Sequence, residues 1–180
     1  HRRRDATMAT RLDLSNLSLK DALDLAKLIE LEAYHRYKLF ASQLGIYGGY
    51  DAGSFFASMA DNEAKHGQEI AARREALFGD SPSTVTLDDL YDVEAPDVGA
   101  VYSGMSLMKA FEVGLAAEQK AYDFYTRALP QVTNAEVKAL FTELRDEEVE
   151  HVEMLKAGMA KLPPEASYEM EEDLDDEPYL

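Results

Sequence analysis

Six residues have the types and spacing to do chemistry: Glu30, Glu63, His66, Glu118, Glu148 and His151. They form two copies of one pattern, a lone glutamate followed by Glu-x-x-His. The first copy is Glu30 with Glu63-x-x-His66, and the second is Glu118 with Glu148-x-x-His151. The step from the lone Glu to the Glu-x-x-His is 33 residues in one copy and 30 in the other. Residues i and i+3 share a helix face, so each Glu/His pair can grip one ion. Glutamates are rarely fully buried unless paired or bound to metal. Four in one core need a reason, and two divalent cations would balance them. Mixed carboxylate and imidazole ligands suit two iron ions, or manganese. Zinc can substitute but usually takes fewer ligands in a tetrahedral array. Six ligands for two metals leave open positions, as redox chemistry with O2 or peroxide requires. One Glu-x-x-His on a charged helix is a common and weak signal. Two copies, each preceded by a core glutamate at near-equal spacing, are specific. The competing reading is a polar core that binds adventitious zinc.

Helices must position these side chains. Four segments carry apolar residues at alternating steps of 3 and 4, the stripe of a helix that packs in a bundle. Helix A is predicted from Ser18, where Ser18-x-x-Asp21 resembles a capping box, to Gly45. Its seam is Leu23, Ala26, Glu30, Ala33, Tyr37, Phe40 and Leu44. Helix B follows Asp51 as N-cap and runs to about Phe78, with Phe56, Met59, Glu63, His66, Ile70 and Leu77 inward. Helix C begins between Ser103 and Ser106 and reaches about Leu129, ahead of Pro130. Helix D is capped by Thr133-x-x-Glu136 and ended by Pro163-Pro164. The links A–B and C–D are short and predict antiparallel neighbours. Residues 79–103, with Gly79, Pro82, Pro96 and Gly99, break the period. A connection this long can cross the bundle and set helices B and C parallel.

The repeat reaches beyond the ligands. Ala33, Tyr34 and Tyr37 follow Glu30 at the same steps as Ala121, Tyr122 and Tyr125 follow Glu118. This register selects Glu30 over the neighbouring Glu32. Tyr37 and Tyr125 lie on the seam and can each donate a hydrogen bond to a ligating carboxylate.

Composition bounds the partners. The 180 residues carry a formal net charge of −17. A phosphate binder needs basic surface, so nucleic acid is excluded as a partner. No apolar run approaches the ~20 residues that span a bilayer, which excludes a membrane span. No export signal is apparent, and the absence of cysteine excludes disulfides, thiolate zinc sites and iron-sulfur centres. Both features fit the cytoplasm. His1-Arg2-Arg3-Arg4-Asp5-Ala6-Thr7 resembles a tag remnant ahead of Met8. The expected organisation is a tag remnant and flexible lead over 1–11, the bundle over 12–162 and an acidic tail over 163–180. Residues 165–177 hold eight acids and no base, and read as solvated chain or an interaction tail.

With these residues in view, the chain resembles the rubrerythrin and bacterioferritin branch of the ferritin-like superfamily. Glu30-x6-Tyr37, Glu63-x-x-His66, Glu118-x6-Tyr125 and Glu148-x-x-His151 carry the resemblance, with Arg36-Tyr37 and Phe40-Ala41-Ser42 rubrerythrin-like in particular. It implies an all-α, ferritin-like four-helix bundle with a long crossover between helices B and C. It also implies a non-haem di-iron centre that reacts with H2O2 or O2. Two departures stand out. Rubrerythrins carry a cysteine-ligated rubredoxin iron domain, and this chain has no cysteine. A peroxidase here would therefore draw on a separate electron donor. Rubrerythrins also carry a further Glu three residues after the helix C ligand, where this chain has Ala121. The resemblance implies a homodimer, and the acidic tail in place of a fifth helix disfavours a ferritin cage. The function expected is a di-iron peroxidase or ferroxidase. The alternatives are an iron-binding or iron-delivery module, and an interaction protein docked through its tail.

Overall fold

Each segment with helical periodicity folds as a helix. The computed structural model describes residues 12–47, 51–89 and 93–169. In it α1 spans Leu19–Leu44, α2 Ala52–Phe78, α3 Leu107–Ala128 and α4 Ala135–Ala160. No strand occurs among the described residues. The expected tag remnant and the end of the acidic tail lie outside them.

Short polar side chains cap the helices and satisfy amides that have no intrahelical partner. Ser18 Oγ accepts from the Asp21 amide at 3.1 Å, and Asp51 Oδ1 from the Ser54 amide at 2.7 Å. Ser106 Oγ accepts from the Lys109 amide at 3.0 Å. At α4 the expected cap is displaced by one residue. Asn134 Oδ1, not Thr133, accepts from the amides of Glu136 and Val137. Asn caps at least as well as Thr. The Thr133 hydroxyl instead donates to the Ser15 carbonyl at 2.6 Å and ties down the N-terminal segment. The α1–α2 link turns at Gly45, with φ of +77°. There the chains approach so closely that a Cβ on Gly53 would lie 1.9 Å from the Gly45 carbonyl oxygen.

The core has two halves. One joins Leu23, Ala26 and Ile29 of α1 to Ile70 of α2, Phe124 and Tyr125 of α3, and Val137 and Phe141 of α4. The other joins Tyr37 and Phe40 of α1 to Phe56 and Met59 of α2 and Ala110 of α3, with Leu155 of α4 packed against it. The C-terminal halves of α2 and α3 thus share one end of the bundle and their N-terminal halves the other. They run parallel, while α1–α2 and α3–α4 are antiparallel. This is the ferritin-like connectivity expected from the long crossover.

The crossover between α2 and α3 is anchored along its course. Lys20 Nζ donates to the Pro82 carbonyl at 2.5 Å, and Thr84 Oγ1 to Asp21 Oδ1 at 3.0 Å. Val85 and Val93 pack into the first half of the core, and Met105 into the second. Arg74 fixes the crossover's beginning. It donates to both carboxylate oxygens of buried Asp24, at 2.8 and 3.3 Å, and to the carbonyls of Gly79 and Ser81. The seam of α2 accordingly departs from the one expected. Leu77 is 56% exposed, and Arg74 occupies the inward position four residues after Ile70. Seven residues at 3.6 per turn bring Leu77 back to within about 20° of Ile70, so the period alone would keep it inward. The core instead packs the Arg74 and Phe78 side of the last turn of α2 and leaves Leu77 out.

After α4, residues Pro164–Ser167 form a 3-10 turn that buries Ala166 against the second half of the core. The Tyr102 hydroxyl donates to Glu169 nearby. No described helix is long and apolar enough to cross a membrane.

Candidate metal centre

The two halves of the core are separated by a polar layer at the middle of all four helices. Glu30 enters it from α1, Glu63 and His66 from α2, Glu118 from α3, and Glu148 and His151 from α4. All six sequence-predicted ligand residues therefore meet. They fall into two triads, Glu30–Glu63–His66 and Glu118–Glu148–His151. Within each, one ligand atom from every residue lies within 4.8 Å of the others. Each lone glutamate joins the Glu-x-x-His of its own repeat, so the sequence repeat is also a structural one. The register choice holds as well, since Glu30 is buried while Glu32 is half-buried.

A fifth acid is present that periodicity did not reveal. Glu94, in the crossover, is 2% exposed and forms a third group with Glu63 and Glu118, again within 4.8 Å. It bridges the two triads in space. Val93, Glu94, Ala95 and Pro96 are all buried, a short apolar run amid the polar residues of the crossover. That run was the one local signal for it.

The electrostatics are those of carboxyls crowded without water. Burial pushes Glu63 and Glu148 well up, and neighbouring acids, Glu94 foremost, push them further. Burial likewise raises Glu30 and Glu94, and the charge of Glu118 adds to both. Glu118 is the exception. Burial works against its charge, but hydrogen bonding from Glu148 and the proximity of His151 hold it below the usual range. His151 Nδ1 stands 3.5 Å from Glu118 Oε2 and 3.4 Å from Glu148 Oε2. These separations are ionic contacts rather than well-formed hydrogen bonds. Burial disfavours the charged imidazole of His151, but Glu118 overrides it and raises the group. His66 goes the other way, lowered by burial and by the charge of His151.

Tyr37 and Tyr125 are buried beside the layer, but the Tyr37 hydroxyl has no hydrogen-bond partner, so the donation to a carboxylate expected of it is not made there. Both are buried, and both hydroxyls are raised well above the usual value by burial and then by the acids, Glu118 for Tyr37 and Glu94 for Tyr125. Among the described residues, two pockets reach the site. A pocket of about 200 Å³ between α2 and α4 is lined by Asn62, His66, Glu150, His151 and Met154. A second, of about 340 Å³, reaches Glu30 and Glu63 between α1 and α2 beside Gly67.

These residues fit a pair of metal ions. Oε2 of Glu30, Glu63, Glu94, Glu118 and Glu148, together with His151 Nδ1, are buried and have no hydrogen-bond partner. Buried polar atoms are almost always partnered. Six converging orphans of ligating type are what cations would satisfy.

The fold and the site define a class: a ferritin-like four-helix bundle with a carboxylate and imidazole cage at its middle. The chain belongs to the rubrerythrin family, whose model matches residues 21–159. No curated protein matches it. Among solved structures, it is similar to an uncharacterized conserved protein from Magnetospirillum magnetotacticum, at 27% identity and a TM-score of 0.62. That match covers 82% of this chain and 97% of the other. A hypothetical protein from Pyrococcus furiosus shares the fold at 20% identity and a TM-score of 0.51, covering 82% of this chain and 91% of that one. So does the bacterioferritin-related protein from Bacteroides fragilis, a dodecameric thioferritin. It matches at 20% identity and a TM-score of 0.52, covering 79% of this chain and 84% of the other.

Proposed function

We propose that this protein is a non-haem di-iron oxidoreductase, acting as a peroxidase or a ferroxidase. The observation that carries the reading is the convergence of buried, unpartnered carboxylate oxygens and imidazole nitrogen at the centre of the bundle. Glu30, Glu63 and His66 would hold one iron, and Glu118, Glu148 and His151 the other. Iron supplies one electron per ion, so a pair matches the two electrons that, with two protons, reduce H2O2 to two waters.

The protein's own groups do the rest. Glu63 and Glu148 hold protons in the metal-free site, and cations must displace them to bind. The apolar residues above and below the layer exclude bulk water. Glu150 stands at the mouth of the α2–α4 opening, and an acidic surface raises the local concentration of cations. This favours Fe(II) as an incoming substrate as well as a resident ion. Manganese or zinc could occupy the same ligands as substitutes. The absence of cysteine requires a separate electron donor if the reaction is a peroxidase. A homodimer remains part of the proposal, and sedimentation velocity tests it.

Stopped-flow absorbance tests the reaction. Protein loaded anaerobically with Fe(II) is mixed in parallel with H2O2 and with O2. Faster oxidation by peroxide identifies a peroxidase, and faster oxidation by O2 with repeated turnover a ferroxidase. No reaction with either sinks the enzyme reading and leaves iron binding or delivery.

A further inference from the structure

We infer that Glu94 is a seventh metal ligand, supplied by the crossover rather than by a bundle helix, and that metal binding therefore locks the crossover onto the bundle. The inference rests on the di-iron reading above. Its first support is geometric. Glu94 is 2% exposed, its Oε2 has no partner, and a carboxylate oxygen lies within 4.8 Å of ligand atoms on Glu63 and Glu118. Glu63 belongs to one triad and Glu118 to the other, so Glu94 stands within reach of both.

The second support is how the segment is held. Lys120 Nζ donates to the Ala95 carbonyl at 2.6 Å, and Arg36 donates to the Pro96 carbonyl. Lys120 belongs to α3, two residues from Glu118, and Arg36 to α1, six residues from Glu30. Val93 and Ala95 are buried on either side. Two helices thus grip the backbone immediately after Glu94 and aim its side chain inward.

The consequence is a coupling. Without cations, the contact asks a fifth carboxyl to stay in a water-poor layer beside four others, which opposes docking of residues 93–96. With cations, the same carboxyl gains ligand bonds and docking is favoured. A ligand shifts a conformational equilibrium only by binding one state better. Glu94 gives the metal such a difference, because only the docked crossover presents it.

The test is hydrogen–deuterium exchange with mass spectrometry on wild-type protein and Glu94→Gln, each with and without anaerobic Fe(II), alongside Fe(II) titration. Gln keeps the side-chain volume, and far-UV circular dichroism checks the helices. The expected result is that Fe(II) strongly slows exchange of amides in residues 93–101 of the wild type. In Glu94→Gln this gain is lost and Fe(II) affinity falls at least about tenfold. Equal affinity and equal protection in the two proteins overturn the inference while leaving the di-iron reading intact. Should Glu94→Gln not fold, the wild type decides alone, since Fe(II) binding with no change over 93–101 overturns the coupling. A wild type that binds no Fe(II) overturns both readings.

Discussion

The imidazoles of His66 and His151 lie face to face, with ring centroids 4.8 Å apart and planes within 8° of parallel. They come from different triads and together line the opening between α2 and α4. Stacked rings this close cannot both carry charge cheaply. Their environments divide the roles: burial and the charge of His151 lower His66, while Glu118 raises His151 against the effect of burial. Metal ligation needs both neutral, so cations compete with a proton held on His151. Fe(II) affinity is expected to fall as the pH drops through the raised value of His151, with the raised carboxyls competing for protons over the same range, and to be largely lost below about pH 5. A competition titration measures it. Affinity constant down to pH 4 would contradict a Glu/His site.

The metal-free protein should show the opposite trend in stability. Glu30, Glu63, Glu94 and Glu148 are raised by burial, so the folded state holds protons that the unfolded state releases. Their contribution is complete below the unfolded value of 4.5 and is lost as pH rises through the folded values. His151, also raised, adds to the loss above its unfolded value of 6.5. Lowered Glu118 and His66 act in the other sense, and oppose stability only as pH falls below 4.5 and 6.5 respectively. Five groups outweigh two. Thermal unfolding after chelation should peak near about pH 5 and decline toward pH 8. Fe(II) should abolish that decline. A metal-free midpoint that rises across this range would refute the assignment of protons to these acids.

Removing one ligand should separate stability from metal binding. Glu148→Gln keeps the shape of the side chain and eliminates a carboxyl that resists ionisation. Metal-free stability at pH 7.5 is expected to rise by about 1–3 kcal/mol, read by chemical denaturation. Fe(II) content should fall from about two per chain toward one, because the α1–α2 triad remains whole. Unchanged metal content would show that Glu148 is not a ligand.

What the sequence revealed depended on whether the signal was local. The helices were legible because apolar residues recur at fixed steps. The two triads were legible because i, i+3 spacing fixes a shared face wherever a helix forms. Glu94 lies where no period exists, among Asp88, Asp89, Asp92 and Asp97. Apart from the short run Val93–Pro96 around it, nothing in this aperiodic segment distinguishes Glu94 from its acidic neighbours, because tertiary packing decides which is buried. Arg74 was missed for a related reason. Its charge argued for the surface, and its partner Asp24 is 50 residues away in α1. Leu77 falls on the expected seam by period as well as by hydrophobicity, and only the packing of Arg74 and Phe78 at the last turn of α2 leaves it exposed.

The Arg74–Asp24 pair makes a prediction independent of metal. Arg74→Ala would leave Asp24 buried without its bidentate partner and would free the carbonyls of Gly79 and Ser81. Breaking a buried pair from one side costs about 3–5 kcal/mol. Replacing both, as Asp24→Leu with Arg74→Met, should recover much of the loss. Urea denaturation of the two variants makes the comparison. A loss below about 1 kcal/mol for Arg74→Ala would show the pair to be solvated in solution.

Tyr37 separates a structural role from a functional one. Its ring is fully buried and stacks with Phe56 at 6.0 Å, so the aromatic body belongs to the core. Its hydroxyl is buried with no partner, among acids that raise it well above the usual value after burial has done so. An unpartnered hydroxyl gains nothing by being there, so Tyr37→Phe should leave metal-free stability unchanged or slightly higher. In the metal-loaded protein the surrounding carboxylates are ionised and become strong acceptors. If the Tyr37 hydroxyl orients one of them, Tyr37→Phe should weaken Fe(II) binding about tenfold with the fold intact. Tyr125→Phe, in the equivalent repeat position, provides the internal comparison. Parallel titrations and melts decide the matter: lost affinity without lost stability assigns the hydroxyl to the metal centre, and unchanged affinity confines Tyr37 to the core.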